Sequence, residues 1–369
     1  MRKDRRQIVE KSRGVDKPLL ILVLILTGIG LIAVADASAP QALNFFKDEL
    51  YFFKQQAVWA AIGVALLILV SFIKYNFWEK IATPLFFINV LLLMVVLAPG
   101  VGISALGARR WIDLGVLSFQ PSELIKLSLI LYLAKVASRE KGALAYFLPL
   151  VAVSALIMLQ PDLGTTLVVV MVSLVQIFIA GVNLFYFVGG AIIAGVTAAV
   201  LILISPYRRE RLLTFLESTR DPLDSSYHIR QILLALGSGG FAGVGLGASR
   251  QKYLFLPEAA TDSIFAVLAE EIGFVGSLAI IILFAAIVLR GLKIANNAPD
   301  KFSQVASIGI VAWITTQFFL NISSMVALTP LTGVPLPLIS YGGTALTTIL
   351  LATGILLNIS RYAKAKRAN

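Results

Sequence analysis

The chain has no cysteine among its 369 residues and a single histidine, His228. Its external loops can therefore hold no disulfide, and neither a thiol nucleophile nor a thiolate metal site can form. One imidazole does not make a metal site by itself. Charge is also scarce: Asp, Glu, Lys and Arg make up 14% of the chain, while apolar residues make up 58%. Soluble domains carry about 25% charged and about 45–50% apolar residues. The composition excludes an ordinary soluble globule and makes the chain an integral membrane protein.

Apolar runs of about 17 to 25 residues, the length that spans a bilayer core, recur throughout. Ten are legible, at 18–35, 57–73, 81–98, 122–138, 145–159, 164–180, 184–204, 263–289, 304–327 and 340–359. The expected fold is all-α, with about ten transmembrane helices in one polytopic domain spanning 1–369. Both tails are basic, with Arg2, Lys3, Arg5, Arg6, Lys11, Arg13 and Lys17 in 1–17, and Arg361, Lys364, Lys366 and Arg367 in 360–369. Ten spans put both tails in the cytoplasm. The same count puts Lys74, Lys80, Lys135, Arg139, Lys141, Arg290, Lys293 and Lys301 inside, as the positive-inside rule requires. The net charge of +11 is thereby read as topology and anionic-lipid contact, not as a nucleic-acid footprint. Ala35 to Ala39 (ADASA) resembles a signal-peptidase site, but the apolar run before it is long for a signal peptide, so it is read as part of a helix.

Two connections are long, and both fall outside. Residues 99–121 hold Arg109, Arg110, Trp111 and Asp113; residues 205–261 form a large extracytoplasmic loop before the eighth span. Long loops escape the positive-inside rule, so Arg208, Arg209, Arg211, Arg220, Arg230, Arg250 and Lys252 need another explanation, and anion binding is the natural one. Residues 207–219 (YRRERLLTFLEST) alternate apolar and basic faces in the manner of an interfacial helix. The glycines from Gly237 to Gly247 free the backbone for tight turns or close approach, and no strand–turn–helix context supports a nucleotide fingerprint. At the end of this loop Asp262 sits at the seam between polar loop and apolar helix. Two readings are open there: a partly desolvated general base, or a helix cap made by Thr261 or Asp262.

Four blocks carry a resemblance: GARRWIDLGVLSFQPSELIKL (107–127), LQPDLGT (159–165), SSYHIRQILLALGSGGFAGVGLGASRQKYLFLPEAATDSIFAVLAEEIGFVG (225–276) and PLPLISYGGTALTTILLATGILLNISR (335–361). In this order they resemble the SEDS proteins, the FtsW and RodA glycosyltransferases that polymerise peptidoglycan from lipid II, and the chain looks more like FtsW. The family commonly has His before the Thr-Asp pair and Phe after it; here Ala260 and Ser263 stand there, which bears on the shape of the acceptor pocket. The resemblance implies that Asp262 is the catalytic base and that Arg109, Arg110, Glu123, Lys126, Asp162, Arg208, Arg209, Arg211, Arg250, Lys252 and Glu258 bind substrate. It places Glu123, Lys126 and Asp162 in a polar cavity, with Lys126 contacting Glu123 or Asp162. Glu270 and Glu271 lie more than two turns below Asp262, serving packing or proton relay. No Asp-x-Asp pair occurs, in keeping with a lipid-linked donor. No resident cofactor is expected, although a loosely bound Mg or Mn ion is compatible with phosphate chemistry. The implied partners are lipid II and undecaprenyl-linked glycan, a class B penicillin-binding protein, and other divisome or elongasome membrane proteins, at the bacterial cytoplasmic membrane and its division septum. A lipid II flippase and a non-catalytic division scaffold are the alternatives.

Overall fold

Hydrocarbon offers no hydrogen bonds, so a spanning segment must satisfy its own peptide groups and fold as a helix. The computed structural model describes residues 14–98, 102–105, 108–113, 118–204, 209, 213, 227–253 and 255–363. Each of the ten apolar runs overlaps a helix. These are α1 (Lys17–Phe46), α2 (Tyr51–Phe72), α3 (Tyr75–Leu97), α4 (Pro121–Ser138), α5 (Leu144–Met158), α6 (Leu163–Ala180) and α7 (Leu184–Ile204). After the large loop come α9 (Ile264–Asn296), α10 (Lys301–Met325) and α11 (Gly343–Arg361), with α8 (Tyr227–Ser238) inside the loop itself. The ADASA stretch lies within α1, where Ala37 and Ser38 are buried.

Among the described residues seven helices, namely α1, α2, α3, α6, α9, α10 and α11, are long and apolar enough to cross a membrane by length and composition. The other three depart for separate reasons. Helix α4 carries Glu123, Lys126 and Lys135, yet it is buried along nearly its whole length, so its charges face protein and not lipid. Helix α5 has 15 residues, about 22 Å of rise, and the apolar part of α7 is similarly short. The outer connection at 99–121 departs from an all-helical expectation. It contains an antiparallel sheet of β1 (Gly102–Ala105), β2 (Ala108–Asp113) and β3 (Ser118–Phe119), in that order. The interfacial helix expected at 207–219 lies outside the described residues apart from Arg209 and Leu213.

Contacts at one end of the bundle agree with both termini sharing a side. The Asp16 N–H donates to Ser360 Oγ at 3.0 Å, and Arg290 Nη2 reaches Asp16 Oδ2 at 2.8 Å. The start of α1 therefore meets the ends of α9 and α11. Lys135 Nζ donates to the Lys80 carbonyl at 3.2 Å and Lys301 Nζ to the Ile179 carbonyl at 2.8 Å, so the cationic loops gather at matching helix ends.

Helix α9 is broken at Gly273, whose φ is 66° and ψ −168°. The break frees peptide groups, and the glycine-rich loop supplies their partners. Phe274 N donates to the Gly240 carbonyl at 2.9 Å and Val275 N to the Phe241 carbonyl at 3.2 Å. In return, Val244 N and Gly245 N donate to the carbonyls of Glu270 and Glu271 at 3.0 and 3.1 Å. A Cβ at Gly243 would overlap the Glu271 carbonyl, and Gly243 has φ 83°. The run is thus a backbone splint for α9. Gly243→Ala is expected to cost at least about 2 kcal/mol through the left-handed penalty plus overlap. Gly237→Ala, where nothing lies within 4 Å, should be neutral or slightly stabilising; thermal melting of the detergent-solubilised protein distinguishes the two.

Candidate active site

Asp262 is half-buried immediately before the first turn of α9, all of whose residues from Ile264 to Glu271 are buried. The N-cap position is taken by Ser263, whose side chain makes no capping bond. A carboxylate next to the start of a helix feels its partial positive charge. Gly333 faces this carboxylate: a Cβ built there would stand 3.5 Å from Asp262 Oδ2. The far side of the same strip packs on α6, where a Cβ at Gly164 would overlap the Thr332 carbonyl. Two residues before Gly164, Asp162 caps α6, with Oδ1 accepting from Thr165 N at 3.0 Å and Oδ2 from Thr165 Oγ1 at 2.9 Å. Arg110, on β2, closes the group. Its Nε donates to the Gln160 carbonyl at 3.0 Å, its Nη2 to the Pro161 carbonyl, and its Nη1 lies 4.0 Å from Asp162 Oδ2. Tertiary structure therefore brings Asp262, Asp162 and Arg110 around the strip 332–334.

Glu123 and Lys126 form a pair at 2.7 Å, with side chains only 4% and 2% exposed. Of the two partners the resemblance offered Lys126, the structure selects Glu123. The ammonium also lies 5.1 Å from the centre of the Trp313 ring. Glu123 Oε2, Trp313 Nε1 and Gln317 Oε1 are buried without a hydrogen-bond partner among the described residues. Trp313 and Gln317 are one turn apart on α10, on the stripe that continues to Asn321.

The expected external cations fall into different environments. Lys252 turns inward: it is 5% exposed, and its Nζ lies 2.7 Å from Asp36 Oδ1 and 3.0 Å from Glu271 Oε1. Burial opposes its charge, but the two hydrogen bonds outweigh that and hold its pKa above the ordinary lysine value. In this arrangement its charge is matched by protein carboxylates and not by a phosphate. Glu270 accepts from the backbone N–H groups of Arg250 and Gln251 at 3.2 and 3.3 Å and from the Ser249 hydroxyl. Glu270 and Glu271 thus tie the loop to α9. The side chains of Arg209, Arg230 and Arg250 are exposed. Arg109 pairs with Ser104 in the sheet, and Arg208, Arg211 and Arg220 lie outside the described residues. Glu258, at φ 53°, accepts from Thr261 Oγ1 at 2.7 Å and shapes the turn leading to Asp262.

His228 plays no part in the sequence argument beyond excluding a metal cage, yet it joins this site. Its Nε2 lies 2.9 Å from the hydroxyl of Ser263, next to Asp262. A signal was present in the polar end of α8, whose Ile229, Ile232 and Ala235 are the buried residues. Asn321 and Ser340 also reach the Asp262 segment; Ser340 lies in the block 335–361 that carries the resemblance, but nothing in the spacing of either residue pointed to Asp262.

Lys126→Ala leaves Glu123 buried without its counter-charge and is expected to destabilise the protein by about 3–5 kcal/mol. Lys126→Met combined with Glu123→Gln removes both charges and should recover most of that loss. Melting of the wild type, the single variant and the double variant checks this.

The family model described as cell cycle protein, FtsW/RodA/SpoVE, matches residues 17–365. Stage V sporulation protein E of Bacillus subtilis (strain 168) is 42% identical over 362 residues, covering 96% of this chain and 99% of that protein. A probable peptidoglycan glycosyltransferase FtsW of Geobacter sp. (strain M18) is 37% identical over 360 residues, covering 95% and 98%. A solved peptidoglycan synthase complex, described as coordinating polymerization and crosslinking, includes a chain that is 30% identical with a TM-score of 0.77, covering 94% of this chain and 98% of that one. The crystal structure of Thermus thermophilus rod shape determining protein RodA is 28% identical with a TM-score of 0.70, covering 95% and 98%. Full-length matches in sequence and in fold converge: this multi-pass membrane protein belongs to the FtsW/RodA/SpoVE family.

Proposed function

We propose that this chain is a peptidoglycan glycosyltransferase that polymerises lipid II, with Asp262 as its general base. The observation that carries the reading is the half-buried Asp262 carboxylate at the mouth of α9, facing Gly333 and joined through the 332–334 strip to Asp162 and Arg110. Asp262 accepts the proton of the acceptor sugar's 4-hydroxyl as that oxygen attacks the anomeric carbon of a lipid-linked donor. The bond to pyrophosphate breaks with its electron pair, and undecaprenyl pyrophosphate departs. One displacement inverts the centre from an α-linked donor to a β-1,4 bond. Pyrophosphate leaves without protonation, so no second carboxylic acid is required, in contrast to glycoside hydrolysis.

Charge developing on the pyrophosphate calls for cations on the outer face. Arg109, Arg110, Arg208, Arg209, Arg211 and Arg250 are the candidates, with Glu123, Lys126, Asp162 and Glu258 shaping the site and Lys252 bracing the loop. Among the described residues no three His, Asp or Glu side chains group to hold a metal. A divalent cation would thus take most of its ligands from phosphate oxygens and water.

A class B penicillin-binding protein is the proposed partner, crosslinking the glycan as it is made. The match to a solved peptidoglycan synthase complex supports this. Relatives named FtsW support action at the division septum, and the 42% identity to a stage V sporulation protein supports a second setting, during sporulation.

Asp262→Asn is expected to lower polymerisation by about 10²–10⁴-fold, the loss typical of a removed general base. Because Ser263 holds the N-cap position, stability should change by about 1 kcal/mol or less. Both proteins would be purified with the partner, checked for equal melting and partner pull-down, and given labelled lipid II. Glycan ladders of equal rate from the two would remove Asp262 from the mechanism. Transbilayer movement of lipid II without ladders from the wild type would favour the flippase reading, and neither activity the scaffold.

A further inference from the structure

Three consecutive carbonyls ahead of α9 each accept a hydrogen bond from a donor remote in sequence. The Ala260 carbonyl accepts from Tyr341 N at 2.9 Å, that of Thr261 from Ser340 Oγ at 2.6 Å, and that of Asp262 from Asn321 Nδ2 at 2.8 Å. These peptide groups precede the helix, so no helical ladder holds them. We infer that Asn321 and Ser340 are positioning residues that fix the Asp262 carboxylate for proton abstraction. The inference rests on Asp262 as the base.

The bonds around the clamp favour positioning over simple cohesion. Asn321 Nδ2 donates a second time, to the Val334 carbonyl at 2.9 Å. One amide group thereby spans the main chain that carries the carboxylate and the strip whose Gly333 faces it. Ser340 Oγ accepts from Leu336 N at 2.8 Å while donating to Thr261, so one hydroxyl closes the 336–340 turn and grips the segment beside the base. Gln56 braces that turn from α2: its Nε2 donates to the Ser340 carbonyl at 3.2 Å, and its Oε1 accepts from Gly342 N at 3.1 Å. Asn321 and Gln56 are each 1% exposed and Ser340 is 6% exposed, too buried to meet substrate directly. Their reach to the reaction runs through Asp262.

Misplacing a reacting group by about 1 Å can cost on the order of 10²-fold. Asn321→Leu and Ser340→Ala, assayed as full chains with the partner penicillin-binding protein on lipid II, are therefore expected to lower kcat by about 10- to 100-fold. KM for lipid II should stay near wild type. The melting temperature should fall, because each variant leaves two backbone groups unpaired, so kcat is compared at a temperature where every variant is fully folded. Ser340→Thr, which keeps the hydroxyl, should restore most of the kcat lost in Ser340→Ala. If Asn321→Leu fails to fold, the Ser340 pair carries the test alone. Wild-type kcat in the folded variants overturns the inference. So does a loss that only tracks the unfolded fraction or appears as raised KM. Asp262→Asn run in parallel separates the failures: an active Asp262→Asn sinks the base assignment, whereas an inactive one beside unaffected Asn321 and Ser340 variants sinks the positioning claim alone.

Discussion

A buried peptide group without a partner costs free energy, and α9 meets that demand in two places, at its break and in the loop segment ahead of its first turn. The two are satisfied from opposite directions. Below, the glycine-rich loop exchanges four backbone hydrogen bonds with the broken ends around Gly273. Above, Tyr341, Ser340 and Asn321 take up the carbonyls of residues 260–262. The half-helix between these repairs is held at both ends, and Asp262 is mounted on it. Much of the polar chemistry of the outer half follows from a helix that has been interrupted and then braced.

The same accounting governs the buried charges. Lys252 is matched by Asp36 and Glu271, Lys126 by Glu123, and Arg110 by Asp162 and two carbonyls. Each cation joins elements that are distant along the chain or stabilises one that would otherwise be too polar for a membrane, as with α4. Burying a charge is tolerable only when it is paired and hydrogen-bonded. The cationic reading of the outer surface therefore divides. Lys252 serves the scaffold, while Arg209, Arg230 and Arg250 present exposed side chains on the loop.

Family membership accounts for the frame, and contacts within this chain define the surroundings of Asp262. The chain's single histidine reaches Ser263 from α8. An imidazole is thus set beside Asp262 by tertiary packing. The helix inside the large loop thereby contributes a side chain to the surroundings of Asp262.

The helical spans were legible in the residue order because they depend on local quantities, and the same kind of quantity carries the expectations for sidedness and for Asp262 as the base. Apolar length sets the helices, Lys and Arg at span ends set orientation, and Asp262 stands where a polar loop becomes an apolar helix. The sheet at 102–119 was not legible, since its strands of four, six and two residues carry little periodicity. Nor were the long-range polar partners, unlike the Glu123–Lys126 pair, three residues apart on one helix. Asp36 and Lys252 are 216 residues apart, Asn321 and Asp262 are 59 apart, and Thr261 and Ser340 are 79 apart. A hydrogen bond between such residues leaves no spacing to read. Lys252 looked like an anion-binding cation because sequence shows its charge but not the two carboxylates that packing delivers to it. Hydropathy determined which segments are long and apolar enough to cross a membrane; only the packed bundle, by bringing Asn321 and Ser340 to the main-chain carbonyls of Asp262 and Thr261, decided what holds the segment that carries the Asp262 carboxylate, because such bonds join residues far apart along the chain.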